Sequence, residues 1–481
     1  MADLPPSRPS RFRAVVIHRT EEAIPTDIDL VIRGGTVAGP ERAEPQDLGI
    51  AGGRIACVAA PGHLPAARNE FDASGLHVLP GVIDTHVHLR DPGLLDREDF
   101  HTGTCAAAAG GITTIFEMPI ALPPTHTADL LRERVATVQP KAVVDFAIYG
   151  GASAENLDEI EKMAEAGAIG FKTFRTAAPA GREEEFRGFT CPDDGAMLQV
   201  LQRVAATGRV EVIHAESEQV LAWYGREVRR GDPAAHALAR PELAEVVSVA
   251  CSLELARATG ARLQIAHVSA VRALEILRAA KDAGQAVTVE TCPHYLFLTD
   301  EDLVRHGPYA KINPPLRPRA SQTALWAHLQ AGDVDVIGTD HAPYLVSEKE
   351  PYWNRIGGAA AGAPGLEAMV PMLLGAVRDG RLGLPQMVRL TSENAARIFG
   401  LYPRKGRIAP GSDADLTICD LRVPGAIRTE AWLTKSRGTA RIWDGQITGG
   451  EVAATLVRGT VVYERGRGVV APAGHGQFVR P

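Results

Sequence analysis

Two hydrophobic textures divide the chain. Near its start, DIDLVIRGGTV and DLGIAGGRIACVAA are short β-branched runs punctuated by Gly pairs, and the same texture returns near the end in DADLTICDL and ATLVRGTVVYERG. Such runs predict strands joined by turns, with no room for a crossover helix. The simplest arrangement folds Asp27 to Ala73 together with about Arg407 to Gly466, giving a small β-sandwich built from both ends of the chain. Between these flanks, apolar runs of four to eight residues alternate with helical stretches. The runs are GVIDTHVHL (81–89), TTIFEMP (113–119), VVDFAIYG (143–150), AIGFKTF (168–174), VEVIHAE (210–216), RLQIAHVS (262–269), AVTVETCPH (286–294) and VDVIGTDH (334–341). Near-continuous apolar strands suit a parallel sheet buried on both faces, and ENLDEIEKMAEAG and VRALEILRAAKDAG have helical spacing that ends at Gly. A doubly wound open sheet would alternate in the same way, but a count of eight selects the (β/α)8 barrel of the α/β class. The expected division is a loose extension (1–26), the N-terminal portion of the sandwich (27–75), the barrel (76–406), the C-terminal portion of the sandwich (407–466) and a C-terminal tail (467–481).

Composition narrows the partners. The 481 residues are 45% hydrophobic and 23% charged, ordinary for a soluble globular chain with a sizeable core. Aromatic residues make up only 5%, which disfavours a stacking surface for single-stranded nucleic acid. A net charge of −7 gives no support to counterion-driven binding of DNA or of an anionic membrane. Six scattered cysteines form no C-x-x-C pair, which suits a reducing cytosol and argues against a thiolate metal cluster. The first residues lack an apolar stretch of signal-peptide length, and nowhere is there an apolar run of membrane-spanning length. A cytoplasmic protein with a small-molecule partner is expected.

In a barrel of this kind, chemistry belongs at the C-terminal ends of the strands. Here those ends carry metal-ligand types: His86 and His88 on the first run, Lys172 on the fourth, His214 on the fifth, His267 on the sixth and Asp340 on the eighth. Taken singly, each has an ordinary explanation. An H-x-H pair arises by chance, a strand-end lysine snorkels, a buried histidine satisfies a core hydrogen bond, and an aspartate caps a helix. Their gathering at one end of five strands is what demands a common partner. Four neutral imidazoles and one carboxylate suit Zn²⁺, with Mn²⁺ or Co²⁺ as alternatives. Two such ions need a bridge, and an ammonium would repel them. Lys172 therefore makes sense as an N-carboxylated lysine formed with CO₂, its carbamate offering one oxygen to each metal. Two ions roughly 3.5–4 Å apart would share a hydroxide of lowered pKa, which Asp340 would orient while carrying its proton to the leaving nitrogen.

At these residues the sequence resembles the cyclic amidohydrolases: dihydropyrimidinases, hydantoinases, allantoinases and dihydroorotases. The motifs PGVIDTHVHLRDPG, GGITTIFEMP, GFKTF, VIHAES, IAHVSA, ETCPHYL, KINPPLRP, GTDHAPY and KGRIAPGSDADL run in family order from Asp27 to the end of the chain. The resemblance implies a binuclear barrel in which His86 and His88 hold the more buried ion and His214 and His267 the more exposed one. It also implies that carboxylated Lys172 bridges them, that Asp340 is both ligand and general base and acid, and that the enzyme is a homotetramer.

The branch is read from finer positions. Arg90 resembles the arginine with which dihydroorotases grip a substrate carboxylate, yet the rest of that clamp is replaced by Ile120 and Tyr344. The tyrosine that dihydropyrimidinases and D-hydantoinases carry four residues past the lysine is Thr176 here. The stretches EMPIALPPT, FRGFTCPDDGAML, SEKEPYW, GAPGLEAMVPMLL and the closing GQF resemble allantoinases and L-selective hydantoinases. Hydrolysis of a five-membered cyclic ureide or imide is expected, with Arg90, Thr291, Asn313 and the backbone near Ala361 and Ala363 as substrate contacts. His341 is expected to assist by position, His294 to be structural, and His18, His63, His126 and His475 to lie in loops or tails. Dihydroorotase or dihydropyrimidinase activity on a six-membered ring is the alternative, and a non-catalytic assembly protein is a reading of another class. A relative of the latter kind should have a broken ligand set, whereas all six positions are intact here.

Overall fold

The computed structural model describes residues 27–228 and 234–481; the expected extension at 1–26, with His18, lies outside them. Strands from both flanks join in one nine-stranded sheet. Leu30–Ala38, Ala43–Ala51, Arg54–Ala59, Asn69–Asp72 and His77–Pro80 come from the N-terminal side, and Leu416–Asp420, Glu451–Val457, Thr460–Glu464 and Gly468–Val469 from the C-terminal side. The seam is the antiparallel pairing of His77–Pro80 with Leu416–Asp420, in which Val78 faces Ile418 and Pro80 faces Leu416. A core of Ile32, Leu48, Ile50, Val78, Leu416, Ile418 and Leu456 draws on both flanks, so neither half has a complete core alone. The two halves are thus one continuous hydrogen-bonded sheet, rather than two separately paired sheets.

The closing segment is less of a tail than its sequence suggests. Gly468–Val469 extends the sheet beside Thr460–Glu464, and Phe478 forms a parallel bridge with Phe146. Phe146 N donates to the Gln477 carbonyl at 3.0 Å and Val479 N donates to the Phe146 carbonyl at 2.7 Å. Gly476 makes this approach possible, because a Cβ there would lie 2.0 Å from the Val144 carbonyl oxygen.

Between the flanks, Val82–Val87, Ile112–Glu117 and Asp145–Ile148 form one parallel run. Gly150–Gly151, Phe171–Phe174, Val210–His214, Arg262–Ile265, Val287–Thr291 and Val336–Ile337 form a second, again parallel and in sequential order. The two runs meet at both sides. Ile169 N donates to the Ile148 carbonyl at 3.0 Å, and His88 N donates to the His341 carbonyl at 2.9 Å beside a parallel bridge between Val87 and His341. Helices such as Leu157–Ala166, Asp194–Thr207, Glu242–Thr259 and Arg319–Ala331 fill the intervals, each ended by a left-handed glycine. The eighth apolar run forms a strand of only two residues, Val336–Ile337, and the seventh turns into the short helix Pro293–Phe297, which carries His294.

A buried ionic cluster locks the strand Asp145–Ile148 to the C-terminal flank. Lys405 Nζ lies 2.8 Å from Asp145 and 3.4 Å from Asp413 and also bonds Asp415, while Arg458 bonds Asp145 and Arg404 lies 3.2 Å from Asp413. The three carboxylates converge as metal ligands would, but the ammonium occupies the space among them. Burial opposes the Lys405 charge; Asp415, Asp145 and Asp413 outweigh it and hold the amine above its usual range. Replacing Lys405 with Met should strand buried carboxylates and destabilise the protein by about 3–5 kcal/mol. Denaturant unfolding would measure this, and a loss under about 1 kcal/mol would show that the network carries little of the interdomain stability.

Candidate active site

All six expected metal ligands come together at one end of the parallel strands. His86 is the penultimate residue of the strand Val82–Val87, with His88 just beyond it; Lys172 lies in Phe171–Phe174 and His214 ends Val210–His214. His267 and Asp340 follow Arg262–Ile265 and Val336–Ile337 by two and three residues. His86, His88, His214, His267 and Asp340 line a cavity of about 920 Å³, and Lys172 is fully buried. Only four non-glycine residues among those described have a positive φ, and three of them are here: Arg90 at 64°, His267 at 39° and Asp340 at 48°. Backbone of this kind costs energy and persists where packing imposes it, which marks the strand ends as a constrained site.

The donor atoms are arranged as a metal centre requires. Asp340 Oδ1 lies 3.3 Å from both His86 Nε2 and His88 Nε2. His214 Nδ1 and His267 Nε2 face each other at 3.0 Å, two imidazole nitrogens directed at one point. Burial pushes His88 and His267 well below the usual histidine range and His214 down to about 4, so these imidazoles are neutral and can offer lone pairs. Lys172 Nζ has no hydrogen-bond partner, although it is completely buried. Burial lowers its amine to about 8, against the pull of Glu290, Asp340 and Glu211. An unpartnered buried amine is costly as an ammonium. Its neutral form is the one that can add to CO₂, so the residues present fit a pair of divalent ions with a modified lysine between them.

Behind the ligands stand carboxylates that residue types at strand ends did not single out. Glu290 Oε1 lies 2.6 Å from His86 Nδ1; Glu290 also accepts from Thr85 Oγ1 at 2.8 Å, Gln264 Nε2 at 3.1 Å and the His267 backbone at 3.2 Å. This fixes the His86 tautomer with its proton on Nδ1, leaving Nε2 free to face Asp340. Glu216 does the same for His214, taking Nε2 at 2.8 Å while Arg240 Nε holds its other oxygen at 3.0 Å. Asp84 accepts from Thr339 Oγ1 at 2.6 Å and Thr339 N at 3.0 Å, tying the first parallel strand to the segment that carries Asp340. Asp84 and Glu216 each sit two residues from a ligand, in VIDTH and HAES, and that spacing was the available signal; Glu290, in ETCPH, has no ligand nearby in sequence. Replacing Glu290 with Gln should weaken metal affinity by roughly 10- to 100-fold while the fold is kept. Metal titration of the purified variant checks this, and wild-type affinity would show that Glu290 only fills space.

The expected substrate contacts divide. Arg90, Asn313 and Ala361 wall the cavity, and Asn313 Oδ1 is buried without a partner. Thr291 and Ala363 do not wall it: Thr291 Oγ1 donates to the Val268 carbonyl at 2.8 Å, and the Ala363 carbonyl accepts from Ala342 N at 3.0 Å. The side chain of Thr291 and the carbonyl of Ala363 are spent on holding neighbouring strand ends. His341 is fully buried, accepts from Gly365 N at 3.1 Å and lies 3.7 Å from Glu98, so it holds the loop that follows the last strand. Thr176, Ile120 and Tyr344, which replace residues of other branches, all line the cavity.

A strand-end constellation of this type can hold divalent metal ions, and comparison with known proteins places it among hydrolases. The sequence model described as "Amidohydrolase family" matches residues 77–462. The chain belongs to that family. An L-hydantoinase of Paenarthrobacter aurescens is 37% identical over 456 residues, covering 94% of this chain and 98% of the relative. An allantoinase of Rubrobacter xylanophilus is 39% identical over 461 residues, again covering 94% and 98%. Among solved structures, the L-hydantoinase (dihydropyrimidinase) from Arthrobacter aurescens matches with a TM-score of 0.90 at 37% identity, over 94% of this chain and 100% of the other. A D-hydantoinase matches with a TM-score of 0.85 at 30% identity, over 94% and 98%. No helix among the described residues is long and apolar enough to cross a membrane.

Proposed function

We propose that this chain hydrolyses the cyclic amide bond of a five-membered ureide, as a hydantoinase or an allantoinase does, with two divalent metal ions. The observation that carries this reading is the convergence of His86, His88 and Asp340 with the His214–His267 pair and the buried, unpartnered Lys172 amine. The likeness to hydantoinases and allantoinases over 94% of the chain supports the substrate class. The parallel strands are read as one closed (β/α)8 barrel, supported by the bridge between Val87 and His341 and by the link between Ile148 and Ile169.

Zn²⁺ is the ion that the four imidazoles and one carboxylate suit best; a bound pair acts as Lewis acids and brings a water toward a neutral pKa. His86, His88 and Asp340 would hold one ion, His214 and His267 the other, and Lys172, carboxylated on Nζ, would reach both. Asp340 has a further task. Beside His86 and His88, its carboxylate would take a proton from the attacking water and return it to the ring nitrogen that leaves. The unpartnered Oδ1 of Asn313 would accept the ring N–H and orient the amide.

A turnover panel tests the reading. Protein purified with Zn²⁺ should hold close to two ions per chain and should open allantoin or 5-substituted hydantoins faster than dihydrouracil or dihydroorotate. A tenfold preference for either six-membered ring, or full activity with no bound metal, would refute it.

A further inference from the structure

One part of the cavity wall gathers hydrogen-bond donors: Arg90, Arg97, Arg182 and Tyr344. Tyr344, buried and on the wall, has a hydroxyl that accepts from Arg182 Nη1 at 2.9 Å and from Arg90 Nη2 at 3.2 Å. The guanidiniums of Arg90, Arg97 and Arg182 all lie within 5.1–5.5 Å of its ring centre. Two carboxylates answer these three cations. Glu185 takes Arg182 Nε at 2.9 Å and Arg97 Nη1 at 3.3 Å, and Glu348 takes Arg97 Nε at 3.0 Å. Arg90 is left over. Only 2% of it is exposed, its Nε and Nη1 have no hydrogen-bond partner, and the nearby Glu117 is engaged by Arg134.

A buried guanidinium in a residue of the cavity wall, with no hydrogen-bond partner at Nε or Nη1 and among donors already in excess of acceptors, calls for a further acceptor. The phenol adds one more donor: with its lone pairs taken by Arg182 and Arg90, its own proton is what remains to be given. Burial would raise the Tyr344 hydroxyl, but Arg182, Arg90 and Arg97 outweigh it and hold it below the usual tyrosine range, which makes that proton a better donor. An alkyl or aryl group placed here would leave all of these donors unanswered.

We propose that Arg90, Arg182 and Tyr344 form a specificity subsite for the exocyclic arm of the substrate, and that this arm ends in a carboxylate or carbonyl oxygen. The inference rests on the cyclic-ureide reading and names its substrate class: a ring whose substituent presents acceptor oxygen, either charged as in a carboxymethyl arm or neutral as in a ureido arm. Arg182 and Tyr344 are the new members. Neither ligates metal, and Tyr344 stands at a position where the resemblance to dihydroorotases fails.

The test compares kcat/KM of the metal-loaded enzyme for unsubstituted hydantoin, 5-isobutylhydantoin, hydantoin-5-acetate and allantoin. Turnover of unsubstituted hydantoin reports the cyclic-ureide reading by itself. An oxygen-ended arm should exceed the isobutyl arm by roughly 10- to 100-fold, the effect of one or two hydrogen bonds to a charged donor. The better of the two oxygen-ended substrates shows whether charge is required. Tyr344→Phe keeps the ring and removes only the hydroxyl, and Arg182→Gln keeps length; each should pull that ratio toward one. Isobutyl turnover equal to or above both oxygen-ended substrates would overturn the subsite, as would an unchanged ratio in both variants. If unsubstituted hydantoin and every other ring tested stay intact in metal-loaded enzyme, the underlying reading fails instead.

Discussion

Replacing Lys172 with Ala should reduce turnover by about 10³-fold or more, because stabilisation worth several kcal/mol is removed when a two-metal site loses its bridge. The argument starts from burial. The Lys172 amine is fully enclosed, has no hydrogen-bond partner and is lowered to about 8 by burial. A lysine retained only for packing would not need its terminal nitrogen, so a merely structural role predicts nearly normal activity in the alanine variant. The proposed carbamate predicts that metal content falls together with turnover, and that acetate or propionate restores some of both by occupying the vacated space with a carboxylate. Metal analysis and steady-state rates on the same preparation decide between these outcomes. Retention of wild-type activity with two ions bound would eliminate the bridge. The fold should survive, since removing an unpaired buried polar group relieves a desolvation penalty.

Replacing Asp340 with Asn should lower kcat by roughly 10²- to 10⁴-fold, the usual contribution of a positioned acid or base. The change is close to isosteric, and Asn tolerates the left-handed backbone found at Asp340, where φ is 48°, so backbone strain will not account for the loss. An amide oxygen can still approach a cation, but it cannot take and return a proton. If metal content stays near wild type while kcat falls and KM changes little, the proton-transfer role stands. Activity within a few-fold of wild type would assign the proton to another group.

Much of the active site was legible because chemistry and strand geometry coincide in this chain. His86 lies near the end of one strand with His88 just past it, and His214, His267 and Asp340 end apolar runs, so a parallel arrangement alone is enough to bring them to one end. The carboxylates behind them were harder to find. Glu290 lies in the middle of an apolar run and reaches His86, 204 positions away, so no local period points from one to the other. Thr291, expected as a substrate contact by position, has its hydroxyl on the Val268 carbonyl, a bond that its place in ETCPH does not disclose. The role of the closing GQF was equally hidden: Gly476 is required by the nearness of Val144, a contact between the last residues and a strand more than 300 positions earlier.

The 481-residue sequence by itself determined the alternation of elements, the flanks whose strands share one sheet and the six residues that meet as candidate metal ligands. These depend on side-chain period and on residue type, and both are local. Tertiary structure alone decided the pairing of Arg97 and Arg182 with Glu185 and Glu348, the unpartnered donors of Arg90 and the acceptance of two guanidiniums by Tyr344. Whether a charge is compensated depends on which distant groups share its buried volume, and folding alone brings those groups together.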